Sequence, residues 1–116
     1  MIHSKLDVWK MSMELTKEIY ELSKKFPETE KYLLTNQIRR ASVSIPSNIA
    51  EGAGRLSDKE FIRFLYIAMG SLAELETQLL LASKLEYISK PKEILSTLYD
   101  IRKMLSGLIK YLNQKS

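Results

Sequence analysis

The stretch NQIRRASVSIPSNIAEGAGRLSDKEFIRFL, from Asn36 to Leu65, decides the fold. Pro46 stands inside it and should break a helix, because proline lacks an amide hydrogen and its ring collides with the carbonyl group of Ser42, four residues earlier. The apolar residues nevertheless keep helical spacing on both sides of the proline: Leu34, Ile38, Ala41, Ile45 and Ile49. We therefore predict one kinked helix, or two short helices in line, with the bend near Ser44–Ser47 and the end at Gly52–Gly54.

Three breaks, at Pro27, Gly54 and Pro91, divide the chain into four segments that all show helical periodicity. The third and fourth segments alternate apolar spacings of four and three, which is typical of a helix packed nearly parallel to its neighbours. Their seams consist of Phe61, Leu65, Ala68, Leu72, Leu75, Leu79 and Ala82, and of Ile94, Leu98, Ile101, Leu105, Leu108 and Leu112. A capping box, in which Ser57 is followed three residues later by Glu60, predicts where the third helix begins.

The first segment has a broad apolar face, formed by Val8, Leu15, Ile19, Leu22 and Phe26. No segment alternates with period two, and short connections join antiparallel neighbours. The sequence therefore predicts an all-α, up-down-up-down antiparallel four-helix bundle with a proline kink in helix 2. In this prediction residues 1–116 form a single domain, because 116 residues with 45% hydrophobic content can bury one core but not two.

Composition narrows the class of protein further. The chain has no cysteine, which excludes disulfides and thiolate metal sites. Its N-terminus has no signal-peptide pattern, and no run approaches the roughly 20 apolar residues of a membrane span, so we expect a cytoplasmic protein without membrane contact. The net charge of +4 and the pI near 9.3 permit a nucleic-acid or acidic partner, although 14 acidic residues are mixed among the 18 basic ones.

Six polar residues of the second segment fall within an arc of roughly 80° beside the apolar seam, on an ideal helix with about 100° per residue. They are Gln37, Arg40, Ser44, Asn48, Glu51 and Arg55. If another helix or chain covers them they need partners, and Ser71, Glu74 and Gln78 of the third segment have suitable reach. We interpret these residues as an internal or intersubunit polar network that serves assembly. The alternative is a partly solvated stripe in which Arg40 pairs with Glu51 across the bend.

The third segment carries more apolar surface than a monomeric bundle uses. Beyond its seam, one side has Ile62, Met69 and Leu80, and the other has Ile67, Leu81 and Leu85. Surplus apolar area usually marks an interface, so we predict a homo-oligomer. Gly70 and Gly107 stand in mid-helix, where each costs up to about 1 kcal/mol relative to alanine. Close backbone approach is the expected compensation, and loose packing is the alternative.

The sequence offers no catalytic apparatus. His3 is the only histidine, and no Glu-x-x-His pair exists, so neither an acid–base site nor a di-iron site is expected. The glycines of EGAGR follow no strand and lack the lysine of a phosphate loop, so we interpret Gly52 and Gly54 as helix termination. We therefore predict a non-enzyme with no catalytic residue, no metal site and no cofactor.

Basic residues cluster toward the loop ends and the exposed side of the second segment. Our candidates for nucleic-acid binding are Arg39, Arg55, Lys59, Arg63 and Lys31. Phosphate contact needs only cations, and a ring of subunits would repeat each patch. Tyr32 and Tyr66 can stack on unpaired bases, although tyrosines at helix boundaries more often complete a core. For the basic residues, an ordinary solvated surface is the alternative.

Four stretches occur in a characteristic order: LDVWKMSMEL near the start, the FP turn at Phe26, QIRRASVSIPSNIAEGAGR, and KEFIRFLYIAMGSLAELETQLLLA. On these residues the chain resembles, over nearly its whole length, the four-helix bundle family encoded within intervening sequences of bacterial 23S ribosomal RNA genes. The resemblance implies a small homo-oligomer in the form of a five-membered ring. It also relates the chain to accessory proteins of diversity-generating retroelements, which bind a reverse transcriptase and nucleic acid.

The leading hypothesis is a non-enzymatic oligomeric bundle that binds RNA or another nucleic acid through basic patches repeated around a ring. The alternative is a protein-interaction scaffold whose arginines serve assembly or a protein partner, without nucleic-acid binding. Further copies of the chain, RNA or DNA, and a protein partner are thus the expected partners.

Overall fold

The fold is built from α-helices. A computed structural model describes residues 1–115, and over that range it contains four α-helices, two short 3₁₀ turns and no strand. The helices are α1 (Asp7–Ser23), α2 (Leu34–Ala53), α3 (Asp58–Lys84) and α4 (Lys92–Lys115), and the 3₁₀ turns are His3–Lys5 and Glu28–Glu30. The predicted all-α four-helix class is therefore confirmed, while the up-down-up-down order stays a prediction.

The apolar seams predicted for the helices form the core. Every predicted seam residue of α2 and α3 is buried. In α4, Ile94 and Leu108 are only partly buried, whereas Ile109, which the four-three alternation leaves out, joins the core at 6% exposure. Burial on both flanks of a seam arises because a helix in a bundle touches two neighbours.

The helix α2 runs without interruption from Leu34 to Ala53, with the buried Pro46 inside it. The alternative of two short helices in line is therefore wrong, and the bend near the proline stays a prediction. Proline has no amide hydrogen to offer the carbonyl group of Ser42, four residues earlier. The hydroxyl of Thr16 on α1 donates to that Ser42 oxygen at 3.0 Å, and also lies 2.9 Å from the Ser12 carbonyl oxygen of its own helix. A neighbouring helix thus replaces the missing hydrogen bond.

We expect Thr16→Val to lower the free energy of unfolding by about 1–3 kcal/mol, because valine keeps the shape of threonine but leaves the buried Ser42 carbonyl without its donor. Thr97→Val on α4 is the matched control, since the Thr97 hydroxyl bonds only to the Glu93 carbonyl of its own helix. Urea unfolding followed by circular dichroism measures both. Equal effects of the two substitutions would contradict the role assigned to Thr16.

The two glycines of the α2 terminus have different roles. Gly54 is the C-cap residue of α2, with right-handed backbone angles. Gly52 is buried inside the helix, and a Cβ atom there would lie 2.7 Å from Cβ of Phe64 and 2.9 Å from Cδ1 of Phe61. Our interpretation of Gly52 as helix termination is thus wrong, because its lack of a side chain is what lets α2 approach α3.

The other two glycines lie in open space. A Cβ atom at Gly70 or Gly107 would meet nothing within 4 Å. The expectation that close backbone approach compensates these residues is wrong within a single chain, because both face outward from the bundle. Only a further molecule could approach them.

The helix α3 is long and apolar. Its 27 residues, Asp58–Lys84, are long and apolar enough to cross a membrane by length and composition alone, which corrects the expectation that no segment approaches this limit. The core helix of a soluble protein meets the same criterion. In α3, 44% of the most apolar window is buried inside the chain. Its start is the predicted one, with the Ser57 hydroxyl accepting a hydrogen bond from the amide of Glu60 at 3.2 Å.

Candidate functional site

The structure brings together three of the five predicted nucleic-acid contacts at the junction of α2 and α3. Arg55 follows the C-cap of α2, and Lys59 and Arg63 lie one turn apart on the first turns of α3. The guanidinium carbon of Arg55 lies 4.7 Å from the centroid of the Phe64 ring, and that of Arg63 lies 5.6 Å from it. We call Arg55, Lys59 and Arg63 the basic end.

Two members of the basic end are already ion-paired. Nη2 of Arg55 lies 2.8 Å from Oε1 of Glu51, and Nη1 of Arg63 lies 3.3 Å from Oε2 of Glu60. The two arginine side chains are 42% and 65% exposed, so these pairs contribute little free energy and leave donors free. Lys59 has no ion pair within residues 1–115. All three cations remain accessible to an anion.

Arg39 lies elsewhere and is occupied. Its Nε donates to Oγ of Ser23 at 2.8 Å, and its guanidinium stacks 4.9 Å from the centroid of the Tyr20 ring. The prediction that Arg39 projects outward is wrong, because the helix face that points away from α3 points toward α1.

Lys31 precedes α2 and pairs with Glu28 at 3.9 Å. The length of α2, about 30 Å at 1.5 Å per residue, separates Lys31 from the basic end.

Part of the predicted polar network joins α2 to α3. Oγ of Ser44 lies 2.8 Å from Oγ of Ser71, and Nδ2 of Asn48 donates to the carbonyl oxygen and Oγ of Ser44 at 2.8 and 2.9 Å. The Ser71 hydroxyl also lies 3.3 Å from the carbonyl oxygen of Ile67. These three side chains satisfy one another inside one chain and need no partner molecule.

Other residues of the predicted polar network do not have the expected partners. Glu51 binds Arg55 one turn away, so the alternative in which Arg40 pairs with Glu51 is wrong. Glu51 lies eleven residues after Arg40, which on a continuous helix corresponds to about 16 Å, beyond the reach of an ion pair. Gln78 is 6% exposed, and its Oε1 has no hydrogen-bond donor within residues 1–115.

Arg40 lines an open groove of about 610 Å³ between α2 and α3. Its other lining residues are Tyr32, Asn36, Gln37, Ala41, Ser44 and Glu74. We call this the α2–α3 groove. Its lining includes four of the predicted network residues, which are Gln37, Arg40 and Ser44 on α2 and Glu74 on α3. It adds Asn36, which sequence reasoning missed. The signal was present, because Asn36 precedes Arg40 by four residues and so shares its helix face.

The outward side of α3 carries a second stripe with the spacing of a packing seam. Its members are Tyr66, Gly70, Ala73, Thr77 and Leu80, all exposed and uncharged. We call them the outer stripe of α3. The predicted surplus of apolar surface on α3 is smaller than expected, because Ile62 and Met69 pack against the chain's own core. The surplus residues that remain exposed are Leu80, Ile67, Leu81 and Leu85.

The Tyr87 phenol joins two connections of the bundle. The Tyr87 hydroxyl donates to Oε2 of Glu30 at 2.7 Å, which raises the pKa of the Tyr87 phenol because the hydrogen bond favours its protonated form. This contact ties the α3–α4 connection to the α1–α2 connection. Within the described part of the chain, no group of three or more histidine, aspartate or glutamate side chains is placed to hold a metal ion.

The chain is similar to known proteins in two comparisons. A family model described as "23S rRNA-intervening sequence protein" matches residues 4–107. A crystal structure of a protein of unknown function from the S23 ribosomal protein family of Bacteroides thetaiotaomicron is similar, with 32% sequence identity and a TM-score of 0.81. The match covers 89% of this chain and 95% of that one. No curated protein matches.

Proposed function

The chain belongs to the 23S rRNA-intervening sequence protein family, and from this premise we propose that it is a non-enzymatic, self-assembling bundle that binds RNA or another nucleic acid. The observation that carries the proposal is the placement of Arg55 and Arg63 against the Phe64 ring, with the unpaired Lys59 one turn before Arg63 on α3. The chemistry that fits the basic end is a phosphate backbone, which needs cations and no base-specific geometry.

The packing of the basic end supports contact with phosphate. An arginine that rests on an aromatic face loses less rotamer entropy when it binds, because its guanidinium plane is already oriented. The weak surface pairs with Glu51 and Glu60 can exchange for phosphate at small cost. A five-membered ring, which family resemblance implies, would repeat this basic end five times and multiply the net charge of +4 per chain.

Self-assembly is the second part of the proposal, and the outer stripe of α3 supports it. Five exposed positions at spacings of four and three, without a charge among them, form a surface that a helix of a second copy can pack against. The small residues Gly70, Ala73 and Thr77 in the middle permit a short interhelical distance, and Tyr66 and Leu80 supply apolar area at the two ends.

The nucleic-acid proposal predicts a salt-dependent affinity that depends on the basic end. We expect Lys59→Ala and Arg63→Ala each to weaken binding of a labelled RNA and to reduce the slope of log K against log salt by about one unit. Lys17→Ala is the matched control, since Lys17 is an exposed lysine on α1, away from α2 and α3. Fluorescence anisotropy from low to high salt measures all three variants. No binding at low salt, or binding independent of salt, would rule the proposal out.

A protein-interaction scaffold is the second candidate function. The observation that favours it is the ion pairing of Arg55 and Arg63, which shows that their cations suit carboxylates as well as phosphates. In this case the basic end contacts an acidic protein surface, and the outer stripe of α3 still serves assembly. Retained self-assembly without RNA binding at low salt would select this candidate.

A further inference from the structure

We propose that the α2–α3 groove binds a single unpaired nucleotide, so that the protein prefers single-stranded over duplex RNA. This inference rests on the nucleic-acid proposal but concerns a different surface from the basic end. The groove is about 610 Å³ in volume, within the range of about 300–1,000 Å³ that is usual for small-molecule sites. Its lining supplies an aromatic ring, two amides, a carboxylate and a guanidinium.

Arg40 is the first reason to expect an anionic ligand. The chain has five arginines, and the other four each hold a partner: Arg39 binds Ser23, Arg55 binds Glu51, Arg63 binds Glu60 and Arg102 binds Glu76. Arg40 alone makes no hydrogen bond, ion pair or ring contact with any residue in the range 1–115. Its five N–H donors therefore have no partner within the described chain, and they match the geometry of a phosphate.

Tyr32 and the amides supply what a base requires. The Tyr32 side chain is 81% exposed at the edge of the groove. The Lys31 ammonium lies over one face of its ring, 5.5 Å from the centroid, and a base can stack on the other face. Asn36 and Gln37 each offer a donor and an acceptor, and Glu74 on the facing helix offers an acceptor for an exocyclic amino group. Asn36 and Arg40 lie four residues apart on one face of α2, and Tyr32, in the turn before α2, lines the same groove. Stacking, base-edge and phosphate contacts are thus available within one groove.

An unpaired nucleotide fits this arrangement better than a duplex. In duplex RNA the base edges are paired and the faces are stacked, so neither Tyr32 nor the amides could reach them. The outer stripe of α3, proposed for assembly, is centred about 80° around the helix from Glu74. The groove and the stripe are thus neighbouring surfaces, and the solution mass of the groove variants distinguishes a nucleotide site from an assembly contact.

The test compares a ten-nucleotide single-stranded RNA with a blunt duplex of the same length by fluorescence anisotropy, using the full chain. We expect Tyr32→Ala and Arg40→Gln each to weaken single-strand binding about tenfold and to change duplex binding less than twofold. Arg63→Ala, in the basic end, should weaken both, and Lys17→Ala should weaken neither. Single-strand affinity unchanged in both groove variants would overturn the inference.

Two further outcomes separate this inference from the proposals it rests on. If Arg40→Gln alters the solution mass measured by light scattering, the groove is an assembly contact and the inference is overturned. If the unmodified chain binds no RNA at low salt, the nucleic-acid proposal fails, and adenosine 5′-monophosphate alone then tests the groove. Shifted side-chain amide resonances of Asn36 and Gln37 in nuclear magnetic resonance spectra would support a nucleotide site, and unshifted ones would overturn it.

Discussion

Gly52→Ala is expected to lower the free energy of unfolding by about 1–3 kcal/mol, since the new methyl group overpacks the contact between α2 and α3. The added Cβ atom would lie 2.7 Å from Cβ of Phe64, an atom attached directly to the backbone of α3. A flexible side chain could swing aside, but here a helix must move. Urea unfolding at a fixed protein concentration measures the change.

Gly107→Ala is the matched control for this prediction. Gly107 lies in mid-helix on α4 with nothing within 4 Å of its missing Cβ, so alanine there should raise the free energy of unfolding by up to about 1 kcal/mol through helix propensity. The two glycine substitutions thus have opposite expected signs. If Gly52→Ala were as stabilising as Gly107→Ala, the close approach of α2 and α3 would not exist in solution.

The same substitution reaches the basic end through Phe64. Arg55 and Arg63 both rest near the Phe64 ring, and Gly52 is the residue that lets this part of α3 approach α2. A shift of Phe64 therefore displaces the platform that orients the two guanidinium groups. The packing at Gly52 therefore affects the arrangement of the candidate phosphate contacts.

Gly70→Leu is expected to weaken self-assembly at least about thirtyfold, the equivalent of a hot spot of about 2 kcal/mol, while the single chain keeps its helix content. Within one chain a side chain at Gly70 meets nothing within 4 Å, so leucine costs the bundle no contact. In an assembly through the outer stripe of α3, the same leucine would hold the neighbouring helix away. Light scattering measures mass, and circular dichroism measures helix content.

Gly107→Leu controls for the effect of adding a large apolar side chain to an exposed helix. It lies in comparable open space on α4, outside the outer stripe, and should leave the mass of the assembly unchanged. A monomeric unmodified chain would refute assembly altogether. An unchanged mass for Gly70→Leu would show that the copies meet through a different surface.

The core could be predicted from the sequence because helical periodicity reports burial directly. Every predicted seam residue of α2 and α3 is buried, and the Ser57 cap marked the start of α3, since both signals depend on residues within a few positions of each other. Prediction was weaker for α4, where Ile109 joined the core beside the expected seam. Contacts with a second neighbour decide such flanking positions.

For the candidate site, the sequence predicted which residues take part but not how the helices arrange them. The sequence placed Arg39 on the exposed side of the second segment, but it could not show that α1 occupies that side and holds the Arg39 guanidinium through Ser23. It placed Arg40 beside the seam, but not in an open groove without a partner. The difference depends on which helix lies next to which face.

By itself, the sequence determined the four helices, the buried seams of α2 and α3, and the membership of Arg40, Ser44 and Asn48 in one helix face. These properties follow from spacing along the chain, because a helix fixes the angle between residues at a given spacing. Only the tertiary structure decided that Thr16 compensates Pro46, that Gly52 serves close packing, and that Arg55 and Arg63 rest against Phe64. Each of these depends on a contact between residues on different helices, and the distance between two helices is set by the packing of the whole bundle.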